Sequence, residues 1–300
     1  MVDVLFWILL CIIVVLVWIS VYDTSRFTVS EYEFTSKKIK KPLKAVFLSD
    51  LHCKMYGYEG TFLLEKIREI SPDLILCGGD MITAYPGAKT ARVEAFLGEL
   101  KKDFPIVYAF GNHELRLKIY PDTYGDQWEN YTKSLKELGV EITENGTYAV
   151  EEAGVNVICY SADREFYKRS KKTVLDPSDI QNSVGFPNKK AFNILLAHNP
   201  DHFEAYTAYG ADLTLSGHLH GGVVRIPVFP GKKAREEGAH TTRGLISPRL
   251  IFFPKYDAGR FDKDDRTMIV SRGLGMHTFP IRILNPGELM VIDLKASGGV

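Results

Sequence analysis

The chain has 300 residues, of which 45% are hydrophobic and 25% are charged, the ordinary mix of a globular protein. This composition excludes a disordered, collagen-like or multi-span membrane protein. The 37 basic residues balance the 37 acidic ones. The basic excess that nucleic-acid binders use against phosphates is therefore absent, and no nucleic-acid partner is expected. One of the four cysteines lies in an apolar run, so a disulfide framework is not predicted.

The first predicted element is a membrane anchor. Residues 4–22 form an apolar run without a single charge. A helix of this length rises about 28 Å, close to the hydrocarbon core of a bilayer, which is about 30 Å thick. Trp7, Trp18 and Tyr22 lie near the ends, where amphipathic aromatics favour the membrane interface. Because no basic residue precedes the run and no small-residue cleavage site follows it, we predict an uncleaved single-pass anchor over residues 1–22 rather than a signal peptide.

Residues 23–42 are polar and charged, and they predict a linker that ends at Lys41-Pro42. Its lysines could contact anionic head groups, or they could remain solvated. The positive-inside rule applied to these lysines places the folded part in the cytoplasm, although most of them lie near the far edge of the rule's range. The side of the membrane therefore stays open.

From Leu43 onward, apolar runs alternate with helical patterns, which is typical of βαβ units. Strands are predicted at 43–50, 73–80 and 104–112, with helices near 62–70, 90–102 and 126–138. The second half predicts strands at 147–151, 154–160, 191–196, 212–216, 222–226, 266–271 and 288–294, and loops at 162–190 and 229–248. We predict one α/β domain over residues 43–295. Within it, the apolar run 250–253 could contact acyl chains, but a core strand is the simpler interpretation.

Residues able to bind a metal follow the predicted strands, where each strand ends. In open α/β sheets, ligands bind outside the carboxyl ends of the strands, so these residues should converge. Carboxylate, imidazole and amide oxygen ligands without thiolates suit Mn, Fe or Zn rather than a structural zinc site. A carboxylate such as Asp80 can bridge two ions about 3.5–4 Å apart. The candidates are Asp50, His52, Asp80, Asn112, His113, His198, His218 and His220.

In this order, the motifs resemble those of the calcineurin-like metallophosphoesterase superfamily, over about residues 43–295. The resemblance implies a four-layered α/β/β/α sandwich that holds two divalent metal ions. It implies Asp50, His52, Asp80 and His220 as ligands of one ion, and Asp80, Asn112, His198 and His218 as ligands of the other. His113 would face the scissile phosphate. One departure is that Met81-Ile82-Thr83-Ala84 follows Gly79-Asp80, where many members have G-D-x-x-D-R and its arginine clamp.

The tail segments 221–227, 253–256, 271–275 and 280–282 resemble the bacterial membrane-linked branch of the YkuE and YaeI type. Some members of that branch hydrolyse UDP-2,3-diacylglucosamine at its pyrophosphate, and several are exported, which conflicts with the topology that the lysines indicate. The resemblance implies a dinuclear-metal phosphoesterase that acts on a phosphodiester or pyrophosphate, and the predicted anchor favours a lipid-linked substrate.

In the expected mechanism, Asn112 helps the metals to take the charge on the phosphoryl oxygens, and His113 serves the leaving oxygen as an acid or a hydrogen-bond donor. Arg225, Arg272 and Arg282 could bind substrate phosphate, and His277 could line the pocket. The alternatives are a membrane-tethered protein phosphatase and an inactive metal-binding scaffold. The sequence does not indicate an oligomeric state.

Overall fold

The computed structural model of the chain describes residues 2–168, 173–228, 242–248, 250–277 and 280–298. It begins with helix α1 (Val2–Ser25), whose apolar side chains are exposed along almost its whole length. Within the described residues, this is the one helix that is long and apolar enough to cross a membrane, by length and composition alone.

The first half of the chain alternates strands and helices, as the sequence predicts. It contains β1 (Phe27–Ser36), β2 (Leu43–Leu48), α2 (Thr61–Ile70), β3 (Leu74–Cys77), α3 (Ala91–Asp103), β4 (Ile106–Ala109), α4 (Asn112–Ile119), α5 (Pro121–Tyr124), α6 (Gln127–Glu137) and β5 (Ile142–Thr143).

The second half is richer in strands. It contains β6 (Gly146–Val150), β7 (Val155–Tyr160), α7 (Pro177–Val184), β8 (Phe192–Ala197), α8 (Phe203–Tyr209), β9 (Leu213–Ser216), β10 (Val224–Pro227), β11 (Thr242–Ile246), β12 (Gly259–Lys263), β13 (Arg266–Val270) and β14 (Gly287–Ala296).

These strands form two six-stranded mixed sheets and one small sheet. The first sheet has the order β1-β14-β2-β3-β4-β5, and the second has the order β12-β13-β9-β8-β7-β6. Strands β2 to β5 run parallel, as do β7, β8, β9 and β13. Strands β10 and β11 form the third, antiparallel sheet. The predicted α/β class is therefore confirmed.

Three apolar clusters hold these elements together. One cluster contains side chains of both large sheets, such as Phe47 and Leu76 of the first and Ile194 and Leu215 of the second. A second joins the other face of the first sheet to helices α2, α3 and α6. A third joins the other face of the second sheet to α7 and α8. Since the middle strands are covered on both faces, they consist of continuous apolar runs rather than alternating ones.

The segment 23–42 differs from the predicted linker. Residues 27–36 form β1, an edge strand in which all ten residues pair in parallel with β14. Its side chains alternate between half-buried and exposed, and Tyr32 and Phe34 pack against the cluster shared by the two sheets. An edge strand needs only one apolar face, so its glutamates and serines give it the composition of a linker.

Two predicted loops also differ. Helix α7 lies inside the predicted loop 162–190, where Pro177 occupies the first turn and Asp176 caps the helix. Strand β11 lies inside the predicted loop 229–248, of which residues 229–241 fall outside the described part of the chain.

Candidate metal centre

Five strand ends bring the predicted ligands to one edge of the two large sheets. The loop after β2 carries two of these residues, the loop after β3 carries one, and the start of α4 carries one. The ends of β8 and β9 supply the rest. Most of these side chains are buried and His218 is half-buried. The residues brought together are Asp50, His52, Asp80, His198, His218 and His220, with His113 beside them. Asn112 precedes His113 at the start of α4.

Three groups of three ligand atoms lie close enough together to hold a metal ion. Two of them contain a carboxylate: Asp50, His52 and His220 form one, and Asp80, His198 and His218 form the other. The third consists of His52, His113 and His277. The Asp80 carboxylate lies between the two groups that contain a carboxylate, because its Oδ2 is 3.8 Å from His52 Nε2 and 3.1 Å from His198 Nε2. Asp50 Oδ1 lies 3.4 Å from His220 Nε2 and 3.7 Å from His198 Nε2. The Nε2 atoms of His52, His198 and His220 therefore lie within 4.0 Å of one or both carboxylates.

An unusual backbone conformation orients these side chains. Five of the candidate ligands have positive φ angles, a region that non-glycine residues rarely adopt. Such conformations persist where the surrounding fold imposes them, and they concentrate at functional sites. The φ angles are 52° at Asp50, 47° at His52, 53° at Asp80, 71° at His218 and 52° at His220.

Glycines bring the loops into contact with the carboxylates. A Cβ on Gly217 would lie 2.1 Å from Asp50 Oδ2, and one on Gly111 would lie 2.3 Å from Asp80 Oδ1. The same approach lets the backbone N–H groups after these glycines reach the carboxylates. His218 N donates to Asp50 Oδ1 at 3.0 Å, and His113 N donates to Asp80 Oδ1 at 2.7 Å. Both carboxylates are therefore fixed by backbone donors.

Hydrogen bonds at Nδ1 select the tautomer of two candidate ligand imidazoles. His198 Nδ1 lies 2.8 Å from the carbonyl of Gly78, and His220 Nδ1 lies 2.9 Å from the carbonyl of Gly275. A carbonyl can only accept, so Nδ1 carries the proton in both rings. In the neutral form of either ring, Nε2 then carries the lone pair that a metal-ligating histidine presents.

His113 has the opposite arrangement. Its Nδ1 accepts the backbone N–H of Ala84 at 2.8 Å, so Nδ1 carries no proton. In the neutral ring the proton must then be on Nε2, which lies 3.9 Å from Asp80 Oδ2. This atom presents a donor to the centre where the ligand histidines present lone pairs. In its neutral form, His113 is therefore arranged to donate a hydrogen bond from Nε2.

Glu114 has a structural role that the sequence did not assign. Its carboxylate is fully buried and accepts the backbone N–H groups of Asp80, Met81 and Gly111 at 2.8, 3.0 and 2.9 Å. It thereby ties the loop after β3 to the start of α4. Burial, with help from the Asp80 charge, raises the pKa of Glu114 to about 7. A glutamate three residues after Gly111 at a helix start was the available signal, since this is capping-box spacing.

Burial and the two carboxylates shift the pKa values of the histidines in opposite directions. Burial lowers the pKa of His220 to about 4 and moves the pKa of His52 well below its usual range. Burial also disfavours the charged form of His198, yet Asp80 and Asp50 outweigh it and raise the pKa of His198 to about 10. The histidines around Asp80 in turn outweigh burial and hold its pKa well below the usual range. Among the described residues, no lysine or arginine forms an ion pair with Asp50 or Asp80.

The donor atoms fit divalent cations. Asn112 Oδ1 is buried and makes no hydrogen bond, which is costly unless another partner is bound. The buried His198 Nε2 has Asp80 Oδ2 as a neighbour at 3.1 Å. Both atoms are of the kind that coordinates Mn, Fe or Zn. Bound cations would satisfy these two atoms and offset the buried carboxylates together.

The mouth of the centre contains further cationic and imidazole groups. His277 is exposed, and its ring centroid lies 4.6 Å from those of both His52 and His113. Arg116 on α4 is half-buried and donates to Tyr124 Oη at 2.6 Å. Its charge contributes to lowering the pKa of both His113 and His277, after the larger effect of burial.

The three arginines considered from the sequence are bound to the protein itself. Arg225 is buried and pairs with Asp257, and Arg272 pairs with Glu288. The Arg282 guanidinium donates to the carbonyls of Arg272, Gly273, Gly275 and Asn285. The Gly275 carbonyl also contacts His220 Nδ1. Arg282 therefore helps to position the carbonyl that orients the His220 ring.

Comparison with known proteins agrees with this geometry. The family model described as calcineurin-like phosphoesterase matches residues 43–222. YpbG of Bacillus subtilis is 31% identical over 200 residues, which are 66% of this chain and 69% of YpbG. The metallophosphoesterase YkuE of the same organism is 27% identical and covers 85% of this chain and 79% of its own length.

A third relative, the UDP-2,3-diacylglucosamine pyrophosphatase LpxG of Chlamydia muridarum, is 23% identical and covers 83% of each chain. The match to the family model spans more than half of the chain. This match, together with the histidine and carboxylate groups that could hold metals, identifies the chain as a member of the calcineurin-like phosphoesterase family and a metal-dependent phosphoester hydrolase.

Proposed function

We propose that the centre holds two divalent ions, Mn, Fe or Zn, with Asp80 shared between them. One ion would take Asp50, His52, Asp80 and His220, and the other Asp80, Asn112, His198 and His218. The observation that carries this proposal is the position of Asp80 Oδ2, which lies within 4 Å of an Nε2 atom in each histidine group. Two such ions supply a nucleophile at neutral pH and neutralise charge on phosphoryl oxygens.

The residues around the ions have separate roles. The Nε2–H of His113 donates a hydrogen bond to an oxygen of the reacting phosphate and stabilises the charge that develops there. Arg116, three residues after His113 on α4, is the proposed contact for a non-reacting phosphate oxygen. It thereby supplies the guanidinium that the sequence after Asp80 lacks. His277, whose ring centroid lies 4.6 Å from that of His113, lines the entrance.

The proposed substrate is a phosphodiester or pyrophosphate linked to a lipid, of the kind named for LpxG. Two observations support this class: the identity to LpxG over 83% of both chains, and the apolar exposed helix α1 at the start of the chain. We propose that α1 is a single-pass anchor, which holds the centre close to the bilayer where such a substrate is found.

Turnover by the full-length protein in detergent tests the proposal. Metal-free protein should not hydrolyse bis-p-nitrophenyl phosphate, and added Mn²⁺ should restore hydrolysis. Asp80→Asn should abolish it, whereas Asp262→Asn on the exposed strand β12 should not. UDP-2,3-diacylglucosamine should be cleaved with a higher kcat/KM than the soluble diester. If none of the three metals supports diester hydrolysis, the dinuclear proposal is contradicted. A preference for phosphoprotein over both substrates contradicts the substrate class.

A further inference from the structure

The small sheet carries a row of apolar side chains that the described residues cover only in part. Val224 pairs with Ile246 in the β10–β11 ladder. A single bridge joins Val224 to Ile283 on one side, and another joins Ile246 to Phe252 on the other. Directly paired residues project from the same face of a sheet, so these four side chains form a line, which we call the apolar row. At the usual strand spacing it is about 14 Å long.

None of the four side chains in the apolar row is buried, and Phe252 is 66% exposed. Exposed hydrophobic side chains flank both ends of the row: Leu250, Ile251 and Phe253 beside Phe252, and Ile281 and Leu284 beside Ile283. The sequence had favoured a core strand for residues 250–253, and that expectation is wrong. A contiguous exposed apolar surface of this kind marks an interaction site.

The apolar row begins against the last turns of α1. Ser20 Oγ accepts the backbone N–H of Arg282 at 3.4 Å, and Asp23 Oδ2 accepts the backbone N–H of Asn285 at 3.0 Å. Asp23 is 2% exposed, so the second contact is buried. Ile283 lies between these two attached residues in sequence. The orientation of the row relative to the axis of α1 is therefore fixed by the fold.

The same turns of α1 carry the aromatic residues expected at a membrane boundary. Trp18 and Tyr22 are exposed and stack with their ring centroids 5.7 Å apart. The Arg26 guanidinium lies 4.5 Å from the centroid of Tyr22. Tryptophan and tyrosine concentrate at the level of the lipid head groups. Because Ser20 lies between the two aromatic residues, segment 281–285 joins α1 at that level.

We propose that the apolar row is a second membrane-contact surface, which lies in the head-group and upper acyl region of the bilayer that contains α1. This inference rests on the anchoring of α1 proposed above. The bilayer is the occupant that the contacts favour, since the surface is continuous with α1 at the depth of its aromatic belt. A protein partner would have to bind at the membrane boundary itself.

The proposal gives the small sheet a role in substrate access. Asn285, attached to α1 through its backbone, donates from Nδ2 to the carbonyls of His220 and Gly222 at 2.8 and 2.6 Å. Asn285 therefore connects the loop that carries His220 to α1, next to the segment that contributes Ile283 to the apolar row. With the row in the interface, the centre lies next to the head groups, and the phosphate of a lipid-linked substrate reaches it while the acyl chains remain in the bilayer.

Nitroxide accessibility in nanodiscs tests the depth of the row without any enzymatic readout. Full-length protein with Cys11→Ser and Cys53→Ser receives one label by Phe252→Cys, Phe186→Cys or Val14→Cys. Phe186 is the matched control, since it is 79% exposed and follows α7, which packs on the second sheet. We expect the labels at 14 and 252 to collide more with oxygen than with a water-soluble nickel complex, and the label at 186 to do the reverse.

A water-like profile at 252 together with a lipid-like profile at 14 overturns the inference and makes the row a docking face for a protein. A water-like profile at 14 overturns the anchoring and the inference with it.

Kinetics provide the second arm. Phe252→Glu should raise KM for a vesicle-borne lipid pyrophosphate about tenfold, because a phenylalanine leaves an apolar environment. It should leave kcat/KM for bis-p-nitrophenyl phosphate unchanged, and Phe186→Glu should change neither. An equal loss of Phe252→Glu on both substrates overturns the inference. A lipid-like label at 252 in a protein that hydrolyses neither substrate overturns the proposed function and leaves the membrane contact standing.

Discussion

Replacing His113 separates hydrogen-bond donation from acid catalysis. A general acid needs an imidazolium ring with protons on both nitrogens, but Nδ1 of His113 accepts the Ala84 N–H at 2.8 Å. The neutral ring can donate its Nε2 proton in a hydrogen bond, and it cannot release it without becoming an anion. Loss of one such donor to a developing charge costs about 10²–10³-fold in kcat, or about 2.7–4 kcal/mol. We therefore expect His113→Ala to lower kcat by about this factor.

The assay compares diesters whose leaving groups range from p-nitrophenol to simple alcohols. With donation to a phosphoryl oxygen, the rate loss of His113→Ala should be the same for every leaving group, and metal content should not change. His113→Gln keeps an N–H donor and should recover part of the rate. His202→Ala is the control, because the His202 ring contacts Phe166 and Tyr206 away from the carboxylates. A loss that grows with leaving-group pKa would establish acid catalysis and refute this reasoning.

Three further variants test the centre and its support. Asp80→Asn should remove both ions, because the amide has no charge to offset two cations. The metal content is measured by mass spectrometry. Two ions per chain in the variant would exclude the shared role of Asp80. Gly217→Ala should lower metal occupancy and the free energy of unfolding by about 1–3 kcal/mol, because its Cβ would lie 2.1 Å from Asp50 Oδ2; an unchanged Tm and metal content would contradict this.

A chain beginning at residue 43 should melt about 6 °C or more below one beginning at residue 20, because it loses the half-buried aromatics of β1. Equal Tm values would show that β1 is dispensable.

The meeting of the candidate ligands was accessible from the sequence, and the reason is geometric. Parallel strands end at one edge of a sheet, and each apolar run could be recognised by its length and by the glycine that follows it. Asp50, Asp80 and His198 therefore lie together as their positions at strand ends indicate. Their assignment to individual ions remains a proposal, because it depends on the ions themselves.

Strand β1 was not predicted, because only one face of this strand is apolar and the alternation in its sequence is short. The alternation of Tyr32 and Phe34 with Glu31, Glu33 and Thr35 covers only a few residues, and the lysines after it resemble a solvated linker. Its partner β14 lies about 260 residues further along the chain. No local pattern can specify a pairing between segments so far apart, since the pairing depends on which sheet edge remains free once the other strands are placed.

The proton position on each histidine depends on a hydrogen-bond partner that lies outside the sequence motifs. His113 and His220 are equally conspicuous in the sequence, yet the N–H of Ala84 leaves the proton of neutral His113 on Nε2, and the carbonyl of Gly275 leaves Nε2 of neutral His220 free to accept. Gly275 is itself held by Arg282, whose backbone N–H reaches Ser20 of α1. Thus the segment that fixes the proton on a ligand histidine is also the one attached to the apolar helix. In this fold the chemical state of the centre and its position relative to α1 depend on the same few residues.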